Sequence, residues 1–325
     1  MKHTKYPKIQ QFRNTISDIN RAYGYGEKPT LTFKGTVKLH GTNASVCFNS
    51  TDGFWIQSRN NVITPEQDNA GFAKFADSRK VHFCSLFDSI INAYQIDANI
   101  FTVSIYGEWA GLGVQKGVGI SNLDKAFYVF GIKISKQDDE DFDSYWLPSE
   151  DIKCSDYGIF NINDYATFNI TIDFNNPQLK QNELQDITKA IELECPVAKA
   201  FGVDNGVGEG VVWSCEYDGV MYQFKVKGEK HSVSKVKTLA SVDVEKLNSI
   251  NEFIEYSVTE NRFNQGIESV FGNDEIDIKK MGDLIRWVVG DVNSEEADVM
   301  VKNGLSNKDV NKYISTKVRQ MFQAL

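Results

Sequence analysis

The chain has 325 residues, 41% hydrophobic and 12% aromatic, with a net charge of −9. Its length exceeds the usual single domain, so two domains are expected, each able to bury a core. The acidic balance argues against a general nucleic-acid binder, which needs Lys and Arg to neutralise phosphates; Cys47, Cys84, Cys154, Cys195 and Cys215 are scattered, with no Cys-x-x-Cys pair and no His at zinc spacing, and read as reduced thiols.

The N-terminal run Met1 to Lys8 lacks the apolar stretch of a signal peptide, and no apolar run is long enough to span a bilayer. A soluble, cytoplasmic protein without a membrane partner is therefore expected. Leu31 to Leu39 and Ala44 to Phe48 alternate as strands, and Asp52-Gly53 ahead of Phe54-Trp55-Ile56 marks a hairpin turn. Helices are expected near Gly71 to Ala76 and Leu86 to Tyr94, strands over Phe101 to Tyr106 and Ala126 to Ile134, and a helix over Asn182 to Leu193. Gly210 to Cys215 and Val220 to Val226 follow as strands joined through Tyr217-Asp218-Gly219. The acidic run Asp138 to Asp143 reads as a solvated or mobile loop. Hairpins rather than regular βαβ units imply an α+β fold with largely antiparallel sheets.

Beyond about Ala240 the character changes. No proline lies past Pro196, and Val244, Leu247, Ile250, Phe253 and Ile254 recur at helical spacing. Leu284, Ile285, Trp287 and Val288 continue the pattern, as do Val310, Tyr313, Ile314, Val318 and Phe322. Ser306 ahead of Asp309 resembles a helix N-terminal cap. These signals place a small all-helical C-terminal domain at 240–325 after a first domain at 1–239.

Lys38-Leu39-His40-Gly41-Thr42-Asn43 closes the first strand, and Lys225-Val226-Lys227 places two more lysines on one face of a later strand. A lysine among other cations loses its proton more readily, and only the neutral amine is a nucleophile. The competing reading is that Lys38 and His40 simply alternate on a solvent-facing strand. Local charge departs from net charge here, because Lys225, Lys227, Lys230, Lys235 and Lys237 stand against Glu229 alone. Gly111 to Gly117 and Gly206 to Gly210 match neither the Walker A nor the dinucleotide pattern and read as turns. His3, His82 and His231 have no partner at metal or triad spacing, which disfavours a Ser/His/Asp hydrolase.

Six short segments stand in a fixed order: Lys38 to Asn43, Ser58-Arg59-Asn60, Gly107-Glu108-Trp109-Ala110-Gly111, Phe127-Tyr128-Val129-Phe130-Gly131, Glu209-Gly210-Val211-Val212 and Lys225-Val226-Lys227-Gly228. Together they resemble motifs I, Ia, III, IIIa, IV and V of the covalent nucleotidyltransferase superfamily, and Lys-x-His-Gly-Thr-Asn most resembles the RNA ligase 2 family. Val37 stands where relatives often carry Glu, and Gly131 where Asp is common.

The resemblance implies a nucleotidyltransferase (ATP-grasp-like ligase) domain at 1–239. It also implies an ATP-dependent RNA ligase acting in RNA repair, with Lys38 as the catalytic residue that carries AMP. His40, Gly41, Asn43, Arg59, Glu108, Phe130, Lys225 and Lys227 would bind ATP or AMP, and Glu209 would act at a magnesium ion. Phe130 would stack on adenine, with a core phenylalanine as its alternative. Glu108 would bind the ribose hydroxyls, and both acids have an ordinary surface carboxylate as the competing reading. The implied partners are ATP and RNA with 5′-phosphate and 3′-hydroxyl ends, and a monomer is expected. Alternatives are an ATP-dependent DNA ligase, a capping-type guanylyltransferase, and a non-catalytic nucleotide- or RNA-binding protein. The all-helical end, in place of a strand-rich OB-type domain, favours the RNA ligase.

Overall fold

A computed structural model of the chain describes residues 1–137, 144–231, 244–271 and 275–325. The acidic run Asp138 to Asp143, Lys235, Lys237 and the junction near Ala240 lie outside the described residues. In chain order the elements are β1 (Gln10–Gln11), α1 (Phe12–Tyr23), β2 (Thr30–Lys38), β3 (Thr42–Asn49), β4 (Gly53–Ser58), β5 (Val62–Ile63), α2 (Phe72–Ser78), α3 (Lys80–Tyr94), β6 (Phe101–Ala110), β7 (Ala126–Lys136), β8 (Tyr145–Leu147), β9 (Ile159–Asn161) and β10 (Thr167–Asp173). They continue as α4 (Gln181–Leu193), α5 (Pro196–Ala200), β11 (Gly210–Tyr217), β12 (Val220–Lys227), α6 (Val244–Ser257), α7 (Glu260–Phe271), α8 (Met281–Glu295), α9 (Ala297–Lys302) and α10 (Asn307–Gln323).

The architecture is α+β. Five strands run in the order β1-β12-β11-β2-β10, and a second sheet runs β5-β4-β3-β6-β7-β8 with β9 added beside β7. Pairings β2–β11, β11–β12, β3–β4, β3–β6 and β6–β7 are antiparallel, while β1–β12 and β7–β9 are parallel. Contacts divide the chain into two units: Met1–Phe12, Thr32–Ile170 and Leu184–Thr238 form one, and Arg13–Leu31, Thr171–Glu183 and Leu239–Leu325 form the other.

In the first unit strand alternation assigns each face. Phe33 and Val37 of β2, Val211 and Trp213 of β11, and Phe224 and Val226 of β12 are buried on one side of their sheet. There Phe12 and Phe33 meet Phe224 with ring centroids 4.9 Å and 5.1 Å apart. Val37 thus belongs to an apolar layer. The other sheet packs Ala44, Val46, Val103, Ile105, Trp109, Phe127 and Val129 against Phe72, Phe75, Phe83 and Phe87 of α2 and α3. Both sheets keep their alternate residues for a second face, which carries the polar side chains.

In the second unit the apolar positions of α6, α7, α8 and α10 meet in one core that includes Ile250, Phe253, Phe263, Leu284, Val288, Val310, Ile314 and Val318. The amphipathic spacing read along the chain is this core's face. Ser306 caps α10, its backbone N–H donating to Asp309 Oδ2 at 2.9 Å. Arg262 of α7 bridges to Asp291 and Glu296, each at 2.8 Å. Helix α1 and strand β10 are elements beyond those expected, although Phe12, Ile16, Ile19 and Tyr23 of α1 do recur at helical spacing. Among the described residues no helix is long and apolar enough to cross a membrane.

Candidate active site

Strand β2 belongs to one sheet and β3 to the other, so Leu39-His40-Gly41 carries the chain across between them. Lys38 is the last residue of its strand, opposite Gly210 of β11, and Gly210 is opposite Lys227 of β12. On the facing sheet Asn43 of β3, Glu108 of β6 and Tyr128 of β7 form one row. Register therefore brings together residues far apart in sequence. Gly41 is required at the crossover, because a methyl group there would run into the Trp109 carbonyl oxygen.

All ten residues selected from the sequence, Lys38, His40, Gly41, Asn43, Arg59, Glu108, Phe130, Glu209, Lys225 and Lys227, line one cavity of about 580 Å³ within the first unit. Glu209 is the buried hub at one end. Its Oε2 accepts from Lys38 Nζ at 2.7 Å and its Oε1 lies 2.6 Å from Lys227 Nζ, while His40 Nδ1 is 3.3 Å from Oε2. Glu108 Oε1 accepts the Gly41 backbone N–H at 2.9 Å. Arg59 is exposed at the rim.

The two acids respond oppositely to this environment. Burial pushes Glu108 up to about 7, against the pull of Lys38 and the Gly41 N–H. Burial also works to raise Glu209, but the Lys38 and Lys227 ammonium groups outweigh it and hold the carboxylate below its usual range. Burial lowers Lys225, and the charges of Lys227 and Lys38 add to the effect. His40 is lowered by burial, with Glu209 opposing and His231 and the lysines reinforcing. Paired carboxylates with diverging proton affinities and a cluster of amines suit a site that handles anions and transfers protons.

Phe130 owes its place to a bulge. Tyr106 of β6 pairs with Gly131 and Gly107 pairs with Val129, which leaves Phe130 as an extra residue of β7. Bulges re-aim side chains beside sites. Phe127, Tyr128 and Val129 are buried, whereas Phe130 is half-buried and lines the cavity. The alternative of a core phenylalanine describes its neighbour Phe127.

The RNA ligase family model matches residues 32–237, a segment holding all ten residues selected from the sequence. The chain belongs to the RNA ligase family. Among solved structures, a Naegleria gruberi RNA ligase with PPi is similar at 17% identity over 70% of this chain and 57% of that chain, with a TM-score of 0.43. A lysine-to-alanine variant of that ligase with ATP and Mn is similar at 17% identity, with the same coverage and a TM-score of 0.44. The chain thus spans 57% of the length of the ligase it matches. Comparison with curated proteins found no match.

The family motifs did not point to several cavity residues. Tyr6, Lys34, Trp146, Glu150 and Gln223 line the same space. His231, set aside for want of a partner at a useful spacing, lies with its ring 5.3 Å from that of His40. Lys225, Lys227 and His231 share one local stretch, so the basic run after β12 was the available signal for His231. Tyr6 carried none. Among the described residues no group of three or more His, Cys, Asp or Glu side chains gathers as metal ligands.

Proposed function

We propose that the chain is an ATP-dependent RNA ligase that joins RNA 3′-hydroxyl and 5′-phosphate ends through a lysyl-AMP intermediate. The observation that carries this reading is the Lys38–Glu209–Lys227 cluster at one end of a cavity whose wall also holds Phe130 and Glu108. Lys38 Nζ attacks the α-phosphorus of ATP, the bond to the β-phosphate oxygen breaks, and pyrophosphate leaves. AMP then passes to an RNA 5′-phosphate, and a neighbouring 3′-hydroxyl displaces it to form the phosphodiester. Lys38 attacks only as the neutral amine. Lys38 Nζ lies 2.7 Å from Glu209 Oε2, so attack requires that this contact be exchanged for one with the α-phosphorus.

Lys225 and Lys227 hold phosphate oxygens, Phe130 stacks on the base, Glu108 takes the ribose hydroxyls, and His40, Gly41 and Asn43 complete the lysine loop. The exposed Arg59 fork meets a nucleotide or RNA phosphate at the rim. Glu209 would be the residue to hold a magnesium ion, in exchange for its lysine contacts, and the ion would supply neutralisation of the triphosphate. Residues 1–239 form the adenylyltransferase domain, and the helical domain at 240–325 engages RNA. The protein acts as a cytoplasmic monomer in RNA repair.

The test is incubation with α-labelled ATP or GTP and magnesium, followed by denaturing electrophoresis. A covalent label from ATP and none from GTP is the expected result. A label from GTP alone would replace this reading with guanylyl transfer, and no label from either would remove it.

A further inference from the structure

The cavity has two chemically distinct ends. On the sheet of β2, β11 and β12 the first row is Lys38, Gly210 and Lys227, the next is Thr36, Val212 and Lys225, and the third is Lys34, Ser214 and Gln223. Four residues of strand separate the first row from the third, about 13 Å. Lys38, Lys227 and Lys225 occupy the first two rows, whereas Lys34 of the third is paired with Glu150 at 2.9 Å, so a nucleotide held by its phosphates at the first two directs its base toward the third. At that end stands Tyr6, from a segment without regular secondary structure.

Tyr6 bridges the two sheets. Its hydroxyl donates to Gln223 Oε1 at 3.2 Å. Its ring meets Phe130, Trp146 and Tyr106 edge-on, with centroids 5.0 Å, 5.1 Å and 5.2 Å away, inside the range of favourable aromatic pairs. The two residues before it are pinned: Gln57 Nε2 donates to the Thr4 carbonyl at 2.6 Å, the Tyr106 hydroxyl donates to the same carbonyl at 2.9 Å, and Lys133 Nζ donates to the Lys5 carbonyl at 3.2 Å. Gly131 leaves the room this cluster uses, since a methyl group there would lie 3.3 Å from the Trp146 ring and 3.8 Å from that of Tyr6.

We infer that Tyr6 is a positioning residue that closes the base end of the nucleotide cavity, orienting Phe130 and Gln223 and thereby limiting which substituents on the purine are accepted. The inference rests on the reading of the cavity as an ATP site. Burial pushes the Tyr6 hydroxyl up to about 12, so it remains a donor to Gln223 across the working pH range. The ring forms a wall, the hydroxyl fixes the wall to the opposite sheet, and neither takes part in the chemistry at Lys38.

The experiment measures protein adenylylation by ATP and by ATP analogues with a benzyl group at N6, C2 or C8, in the wild type, Tyr6→Ala, Tyr6→Leu and Tyr6→Phe. Tyr6→Ala and Tyr6→Leu should each improve the efficiency of at least one analogue relative to ATP by tenfold or more, with KM for ATP rising more than kcat falls. Tyr6→Phe keeps the ring and should still reject the analogues, while KM for ATP rises a few-fold. A merely structural role lowers activity with every nucleotide and creates no new substrate. If Tyr6→Leu, folded by circular dichroism, keeps the wild-type ranking of all analogues, the inference is overturned even should Tyr6→Ala fail to fold. A wild type that ATP does not label removes the ATP reading itself, which separates the two failures.

Discussion

Lys38 Nζ donates to Glu209 Oε2 at 2.7 Å, across 171 residues of sequence. The nucleophile candidate and its counter-charge are thus in direct contact. Lys38→Ala should abolish covalent AMP attachment, as should Lys38→Arg, because a guanidinium stays protonated. The check is labelling with α-labelled ATP, and full labelling of either variant would exclude Lys38 as the attachment point.

Glu209 is 2% exposed and shared between two lysines. Glu209→Ala and Lys227→Ala should each lower the adenylylation rate by about 100-fold or more, the scale of losing one preorganised electrostatic contact, while the protein stays folded. Labelling and thermal unfolding are measured side by side. A large drop in melting temperature with full activity per folded molecule would make the cluster a packing device instead.

Glu108 supplies a pH signature. Its folded value of about 7 lies above the ordinary 4.5, so between these values the folded chain keeps a proton that the unfolded chain has released. Stability from this group is therefore fully present below about 4.5 and is lost as pH rises through about 7. Glu108→Gln, which cannot ionise, should show a flatter dependence of melting temperature over that window. Parallel profiles for the two proteins would show that Glu108 ionises normally.

Phe130 should matter for binding more than for chemistry. Stacking a base on an aromatic ring contributes about 1–3 kcal/mol, so Phe130→Ala should raise KM for ATP by about 5- to 150-fold. Phe130→Trp retains a flat ring and should recover most of that loss. An unchanged KM in Phe130→Ala would place the base elsewhere in the cavity.

A chain ending at residue 240 retains all six motifs and should still attach AMP, more weakly than the full chain. Its melting temperature should fall, because Arg13–Leu31 and Thr171–Glu183 belong to the same compact unit as Leu239–Leu325. Transfer of AMP from the pre-adenylylated truncated protein to RNA should be far slower, since phosphate and shape contacts are lost. Transfer at the full-length rate on both nicked duplex and single-stranded RNA would assign the helices to another partner.

Much of this arrangement is written locally. Alternation in Thr30–Lys38 and Gly210–Tyr217 specifies which side chains face an apolar layer, and helical spacing in Asn307–Gln323 specifies the stripe that becomes a core. Motif order along the chain singles out ten residues, all of which line the cavity. Spacing, however, carries no information about register. That Lys38 shares Glu209 with Lys227, that a bulge frees Phe130 from its ladder, that His231 meets His40, and that Tyr6 bridges Phe130 and Gln223 depend on strands pairing across long stretches of chain. Helix α1, by contrast, is legible in the sequence: Phe12, Ile16, Ile19 and Tyr23 recur at helical spacing, and Phe12 and Ile19 are the positions the fold buries. The sequence by itself therefore determined the inventory of chemical groups and the faces that bury them, because both follow from local period and composition. Only the tertiary structure decided which groups touch, because that depends on strand register and on the side chains that close the space between two sheets.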